Sequence, residues 1–162
     1  MKDFEFSFPT QIIFGADAEE KIGALSQKYG HRAMIIYGSE RIRNNGLYDR
    51  LAAKLKEYGV ISLPFGGIAE NPRLIKVDEG IDLVRNNEID LLLAVGGGSV
   101  IDTAKAISLG SYYPGDVWDL YEQKAKATEV LPIGVVLTMA ATASEANGVS
   151  VIWNEEQNRK CA

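Results

Sequence analysis

The chain of 162 residues is poor in the residues that build catalytic centres on their own: it has one cysteine, Cys161, and one histidine, His31. A single thiol excludes an internal disulfide. A metal site needs several ligands together, and one histidine in the turn-like stretch Tyr29-Gly30-His31-Arg32 reads as a solvated side chain. Basic residues are not in excess: 17 Lys and Arg stand against 22 Asp and Glu, for a net charge of -5, and none are clustered. That excludes nucleic acid as an expected partner. No apolar run approaches the length of a membrane span, so an integral membrane protein is not expected. The opening Met1-Lys2-Asp3-Phe4-Glu5 carries acids where a signal peptide has a basic and then an apolar region. A soluble, cytoplasmic protein is the resulting expectation. Internal repeats, linkers and low-complexity segments are missing too.

What is present is enough for one domain with a sizeable core: 46% of residues are hydrophobic and 24% charged. The most informative stretch is DLLLAVGGGSVIDTAKA, residues 90–106. A short apolar run, Leu91 to Val95, ends at Gly96, Gly97 and Gly98. Val100, Ile101, Ala104 and Ile107 then recur at helical spacing. Buried strand, glycine turn and helix start together form an anion site, because glycine lets a ligand approach the backbone and a helix N-terminus offers free N–H groups and a positive dipole end. The plainer alternative is a tight turn with a capping box, Ser99 as N-cap and Asp102 reaching back. Three consecutive glycines exceed what a cap needs. The string matches neither the dinucleotide fingerprint G-x-G-x-x-G nor the lysine loop of nucleotide triphosphate sites.

Around this stretch the pattern predicts alternating strands and helices. Phe4, Phe6 and Phe8 alternate with polar residues as a short strand before Pro9, and Gln11 to Phe14 reads as a second. A helix over 17–28, with Asp17 at its start, leads to the strand Arg32 to Tyr37. Leu47, Leu51, Leu55 and Tyr58 mark the next helix, and Val60 to Phe65 the next strand. Asn71-Pro72 makes a turn before a helix over about 73–87, with Ile75, Val77, Ile81 and Val84 as core candidates. After the glycine turn and its helix come a helical turn at Trp118, Leu120 and Tyr121, a strand over Val130 to Leu137, and a small-residue turn over Thr138 to Ser144. A last strand, Val149 to Trp153, precedes a polar turn over Asn154 to Arg159. Strands near 33, 60, 91 and 133 separated by helices make a βαβ series, hence an α/β, doubly wound, mostly parallel sheet. In such sheets ligands bind at strand carboxyl ends. Gly38-Ser39, Gly96 to Ser99 and Thr138 to Ser144 all stand there, which points to a nucleotide site.

Several stretches together resemble the N-terminal, cofactor-binding domain of the iron-containing (group III) alcohol dehydrogenases, closest to the butanol dehydrogenase and aldehyde reductase branch. They are PTQIIFG at 9–15, Tyr37-Gly38 with NNGLYDRL at 44–51, AENPRL at 69–74, LLLAVGGGSVIDTAKAIS at 91–108, GDVWDLY at 115–121 and LPIGVVLTMAATASEANG at 131–148. They run in the family's order over essentially the whole chain. The resemblance implies one NAD(P)-binding domain over residues 1–162, Rossmann-like and related to that of dehydroquinate synthase. It also implies NADP or NAD as cofactor, and interconversion of small primary alcohols and aldehydes in the full-length enzyme. By the same resemblance Gly97, Gly98, Ser99 and Asp102 hold the pyrophosphate and neighbouring ribose, and Gly38 and Ser39 lie by the adenosine ribose. Asn71 contacts the cofactor, Thr138 and Thr142 line its nicotinamide half, and Lys160 reaches the nicotinamide ribose. The residues alone leave plainer roles open: a turn for Asn71, a T-x-x-E capping box for Thr142 and Glu145, a solvated lysine for Lys160.

The family's divalent metal, iron or zinc, is held by an aspartate and three histidines of a C-terminal helical domain, which this chain does not contain. No acid–base or nucleophile constellation is visible in the suspected cleft either, where Asp102 and Glu145 lack a histidine partner. This chain is therefore expected to bind cofactor and to be inactive alone. The alternatives are a stand-alone nucleotide-binding module and a polyol dehydrogenase of the same superfamily. The resemblance also implies a homodimer through the N-terminal strand. Two local departures matter. After Tyr37 the branch has a glycine-rich run, and here Ser39-Glu40-Arg41 follows Gly38. Glu40 and Arg41 send opposite signals on the cofactor's 2′ position, and Gly38, where NAD-specific relatives carry an aspartate, tips the balance to NADP. In the 138–144 turn the family has a proline and a glycine where Ala140 and Ala143 stand; alanine is costly where φ is positive, so a shifted loop is expected.

Overall fold

The computed structural model describes residues 9–162. The strand expected over Phe4 to Phe8 therefore lies outside the described residues. Four strands, β1 (Arg32–Tyr37), β2 (Ile61–Phe65), β3 (Leu91–Gly96) and β4 (Ile133–Leu137), form one sheet in the order β2-β1-β3-β4. Every pairing is parallel, with Arg32 opposite Ile61, Ala33 opposite Leu91 and Leu92 opposite Ile133. Helix α1 (Ile22–Ser26) precedes them, and between them lie α2 (Arg41–Asn44), α3 (Leu47–Glu57), α4 (Leu74–Asn86), α5 (Gly98–Ser111) and α6 (Trp118–Tyr121).

Strand residues alternate between two apolar layers, as the period of two requires. Met34, Ile36, Leu92 and Ala94 pack with Val77, Ile81, Ile101 and Ile107 of α4 and α5. Ala33, Ile35, Leu91 and Leu93 pack with Leu51 and Leu55 of α3 on the other face. Both faces of the sheet are covered, so the fold is the α/β, doubly wound, Rossmann-like arrangement expected. At the amino ends of β1 and β3 the Asp90 carboxylate accepts hydrogen bonds from the backbone N–H groups of His31 (2.9 Å) and Arg32 (2.7 Å). The lone histidine thus lies at the edge away from the glycine turn.

Five local expectations need correction. Gln11 to Phe14 is not a strand: no neighbour pairs with it among the described residues, and Ile12 and Phe14 are 66% and 100% exposed. Residues 17–28 begin as a 3₁₀ turn, Ala18–Lys21, before α1, and the Asp17 side chain makes no capping bond. Ile75 is 62% exposed because it stands two positions from Val77, about 200° around a helix whose buried stripe is Val77, Ile81 and Val84. The strand expected from Val130 begins at Ile133, after Pro132, whose carbonyl accepts the N–H of Leu92 at 3.0 Å. The last strand is β5 (Ile152–Asn154), and the polar stretch after it turns back as β6 (Arg159–Cys161), an antiparallel hairpin with Trp153 opposite Lys160.

Candidate functional site

The strand order changes direction at β1. The chain passes from β1 to β2 on one side, then crosses to β3 on the other. A crevice opens at the carboxyl ends of strands where such a switch occurs. Gly38 and Ser39 follow β1 there, Gly97 to Ser99 follow β3, and Thr138 follows β4 with its N–H donating to the Gly96 carbonyl at 3.0 Å. The three stretches singled out in the sequence thus share one rim of the sheet.

The three glycines have separate jobs, and none has positive φ. A Cβ on Gly96 would stand 2.6 Å from Cγ2 of Val100, so that glycine lets the first turn of α5 fold back on β3. A Cβ on Gly98 would stand 3.1 Å from Oγ1 of Thr142. A Cβ on Gly97 meets nothing closer than 3.6 Å, the Met139 Cβ. Gly97 is the N-cap of α5 with φ -103° and ψ -163°, extended backbone that any residue adopts. The fold itself therefore does not demand glycine at 97. What a side chain there would occupy is the open space in front of a 14-residue helix whose N-terminus no side chain caps.

The plainer alternative, a capping box of Ser99 and Asp102, does not form. Ser99 lies inside α5, where its carbonyl accepts the Thr103 hydroxyl at 2.8 Å. Asp102 turns away from the helix start, and its two carboxylate oxygens accept the Ser144 hydroxyl (2.6 Å) and the Val151 N–H (3.1 Å). The alternative capping box of Thr142 and Glu145 is absent too: Ala143 is the N-cap of the 3₁₀ turn Ser144–Ala146, with no side-chain capping bond. One turn along α5 from Asp102, the Lys105 ammonium donates to the Ser144 hydroxyl (2.8 Å), the Asn147 side-chain carbonyl (3.1 Å) and the Val149 carbonyl (2.7 Å). Burial pushes the Lys105 ammonium below its ordinary pKa, against the opposing pull of Asp102 and Glu145.

Asn71 and Lys160, far apart in sequence, meet directly: the Lys160 ammonium donates to the Asn71 side-chain carbonyl at 2.6 Å. Asn71 has φ +55°, which asparagine tolerates better than most residues. The β5–β6 hairpin brings Lys160 there because the Trp153 N–H donates to the Pro72 carbonyl at 2.9 Å. On the β1 side, the Arg43 guanidinium donates to the Tyr37 hydroxyl at 2.6 Å and lies 4.4 Å from the centre of the Tyr48 ring. Glu40 lies 3.5 Å from Arg43. Sequence reasoning missed Lys105, Ser144 and Arg43. The spacing Asp-x-x-Lys on one helix face was the available signal for Lys105; its partners around 44 positions on were not readable.

Comparison with known proteins agrees with this arrangement. The family model described as iron-containing alcohol dehydrogenase matches residues 9–162. The chain is 45% identical over 160 residues to NADH-dependent butanol dehydrogenase A of Clostridium acetobutylicum, covering 99% of this chain and 41% of that protein. It is 37% identical over 167 residues to the NADPH-dependent aldehyde reductase YqhD of Escherichia coli, covering 100% and 42%. Among solved structures, NADH-dependent butanol dehydrogenase A of Thermotoga maritima superposes with a TM-score of 0.93 at 38% identity, over 99% of this chain and 41% of that one. The chain thus spans about two fifths of the length of the curated relatives it matches.

Proposed function

Since the chain belongs to the iron-containing alcohol dehydrogenase family, we propose that residues 1–162 are the dinucleotide-binding part of an NAD(P)-dependent oxidoreductase that interconverts primary alcohols and aldehydes. The observation that carries this reading is the glycine turn. Gly97 stands at the carboxyl end of a central parallel strand, before an uncapped helix, with no packing reason to be glycine.

In this reading the free N–H groups at the start of α5 and the Ser99 hydroxyl receive the pyrophosphate, which matches the positive end of the helix. Gly98 flanks it. The adenosine half lies over β1, against Gly38 and Ser39, and the nicotinamide half over β4, against Thr138 and Thr142. Lys160, steadied by Asn71, holds the nicotinamide ribose. In this scheme Asp102 acts through Ser144 and the loop, with one hydrogen bond from the loop on each of its oxygens. The cofactor supplies hydride transfer when bound, and this chain supplies its position and orientation. A catalytic metal does not fit these residues: among those described, no three His, Cys, Asp or Glu side chains gather in a metal-binding group.

NADPH is the favoured cofactor. Gly38 presents no carboxylate to a 2′-phosphate, and Glu40 is drawn towards Arg43. Isothermal calorimetry tests both points. Gly97→Val leaves the thermal midpoint near that of the wild type and abolishes binding of NADH and NADPH, because the added branch fills the phosphate space and little else. Unchanged affinity in the folded variant sinks the cradle, and tighter binding of NADH than of NADPH by the wild type overturns the choice of cofactor. The variant at Gly98 is a poorer probe, since a side chain there also strikes Thr142.

A homodimer through residues 3–9 belongs to the same reading, as an aromatic N-terminal strand is a liability unless paired. Deleting Met1 to Ser7 is expected to halve the mass seen by light scattering. An unchanged mass refutes the pairing.

A further inference from the structure

The loop between β4 and β5 is joined to α5 by polar bonds. Five hydrogen bonds cross from one to the other, all from two side chains one helical turn apart, Asp102 and Lys105. Ser144 is shared between them. Its hydroxyl has one proton and two lone pairs; it donates to Asp102 at 2.6 Å and accepts from Lys105 at 2.8 Å. The other two Lys105 protons go to Asn147 and to the Val149 carbonyl, so all three donors of the ammonium are used. Ser144 is 4% exposed, and a hydroxyl at that depth is costly to leave unpaired.

The loop held in this way carries the side chains that face the glycine turn. Thr142 stands beside Gly98 and Met139 beside Gly97. Ala143, between Thr142 and Ser144, has φ +52°. An alanine in that conformation is not maintained by its own preference and needs its surroundings to impose it. The flanking bonds through Ser144 contribute to this, together with the Asn147 side-chain N–H and the Ala146 N–H on the Ala143 carbonyl. The loop's other polar bonds lie at its ends or within it: the Thr138 N–H on the Gly96 carbonyl, the Tyr121 hydroxyl beside that of Ser150, and the Asn147 side-chain N–H on the Ala143 carbonyl.

We propose that Lys105 and Asp102 are positioning residues for cofactor binding. Acting through Ser144, they hold the 138–149 loop upright as the second wall of the dinucleotide cleft, on the side of the nicotinamide half. Neither side chain touches the cofactor in this scheme. Their effect is to order Thr138 and Thr142 before the ligand arrives, so that binding does not have to meet the cost of ordering the loop. The two halves of the cofactor should therefore depend on the pair differently. The adenosine and phosphate part rests on β1, β3 and the start of α5, whereas the nicotinamide part rests on the loop. This rests on the dinucleotide reading of the site.

The test compares two probes, ADP and the whole reduced dinucleotide (NADH or NADPH, whichever the wild type holds more tightly), by calorimetry on the full chain. Lys105→Met keeps the length of the side chain and removes the three donors. It is expected to weaken dinucleotide binding by about tenfold or more and ADP binding by no more than about twofold. Ser144→Ala, which leaves both charges in place, gives the same split and serves if Lys105→Met does not fold. A general loss of fold moves both probes together, so equal losses overturn the proposal, as does unchanged dinucleotide affinity in a folded variant. A wild type that binds neither probe removes the dinucleotide reading and this inference with it. A wild type that binds both, matched by its variants, removes this inference alone.

Discussion

Ala143 holds φ +52° and ψ +34°, a left-handed conformation in a residue that has a Cβ. The sequence marked this position as one where the family has glycine, and suggested that the loop would shift to relieve the strain. The backbone instead keeps the conformation, with the Asn147 side chain and the Ala146 N–H on the Ala143 carbonyl and the Ser144 hydroxyl bonded next door. Left-handed geometry costs a non-glycine residue about 1–2 kcal/mol, and glycine returns part of that through its greater freedom when unfolded. Ala143→Gly is therefore expected to stabilise the chain by up to about 1 kcal/mol, read as a higher midpoint in urea or calorimetric unfolding. A lower midpoint would mean that the alanine is not strained. At this scale the sequence was legible where a residue's oddity is local. The triple glycine and Asn71 before Pro72 could be flagged from their neighbours, and Ala143 through the resemblance. Lys105 stands in a D-x-x-K spacing, but its role was not legible, because it depends on partners that only the β4–β5 connection brings round.

Among the elements, those with buried partners on both sides were the easiest to read. Arg32–Tyr37 and the run from Leu91 ran almost to the residue, since a central parallel strand is apolar throughout and is cut off by glycine. Short elements without such a run were misread. Gln11 to Phe14 has a strand's composition and no pairing among the described residues, while β6 is a short, mostly polar strand just past the expected turn and carries no strand signal of its own. Helix α6 shows what a four-residue element does by its contacts. The indole N–H of Trp118 donates to the Gln157 side chain at 3.0 Å, and the Tyr121 hydroxyl lies 2.6 Å from that of Ser150. Both bonds fasten α6 to the hairpin region that carries Lys160. Burial pushes the Tyr121 phenol up to about 12 from 10.0, against the opposite pull of its bond to Ser150. A pKa raised on folding contributes stability that is complete below pH 10.0 and is lost as pH climbs through about 12. Urea midpoints measured across that window should fall, and Tyr121→Phe should make the fall shallower. Parallel slopes for the two proteins would rule out Tyr121 as a source of the alkaline loss.

Over the whole molecule, four strand ends line one rim: β1, β3 and β4 lead into Gly38-Ser39, Gly97 to Ser99 and Thr138, and the connection after β2 carries Asn71. The order of strands and helices was legible from periodicity, and so was the rim. The direct pairing of Asn71 with Lys160 was not, for it depends on a hairpin read as a single strand. The rim also bounds what the chain can do. In the proposed reading the alcohol chemistry needs a metal as well as the cofactor, and a catalytic metal site takes about three protein ligands. The purified 162-residue chain, supplied with iron or zinc, is expected to show no change in NAD(P)H absorbance with butanol or butyraldehyde. Steady turnover would refute the assignment of chemistry to residues outside this chain. The parallel sheet has a further effect, on the order in which the molecule comes into being. Parallel pairing joins Ala33 to Leu91 and Leu92 to Ile133, each across a whole helical crossover. Such distant pairings form slowly. On the ribosome, β3 emerges with β1 already available on one side and nothing on the other until Ile133 is released. For that interval the main-chain groups of Leu91 to Gly96 form an open edge next to the glycine turn. A nascent chain that stalls there is exposed, at the place where the ligand would later rest, to capture by the same edge of another copy.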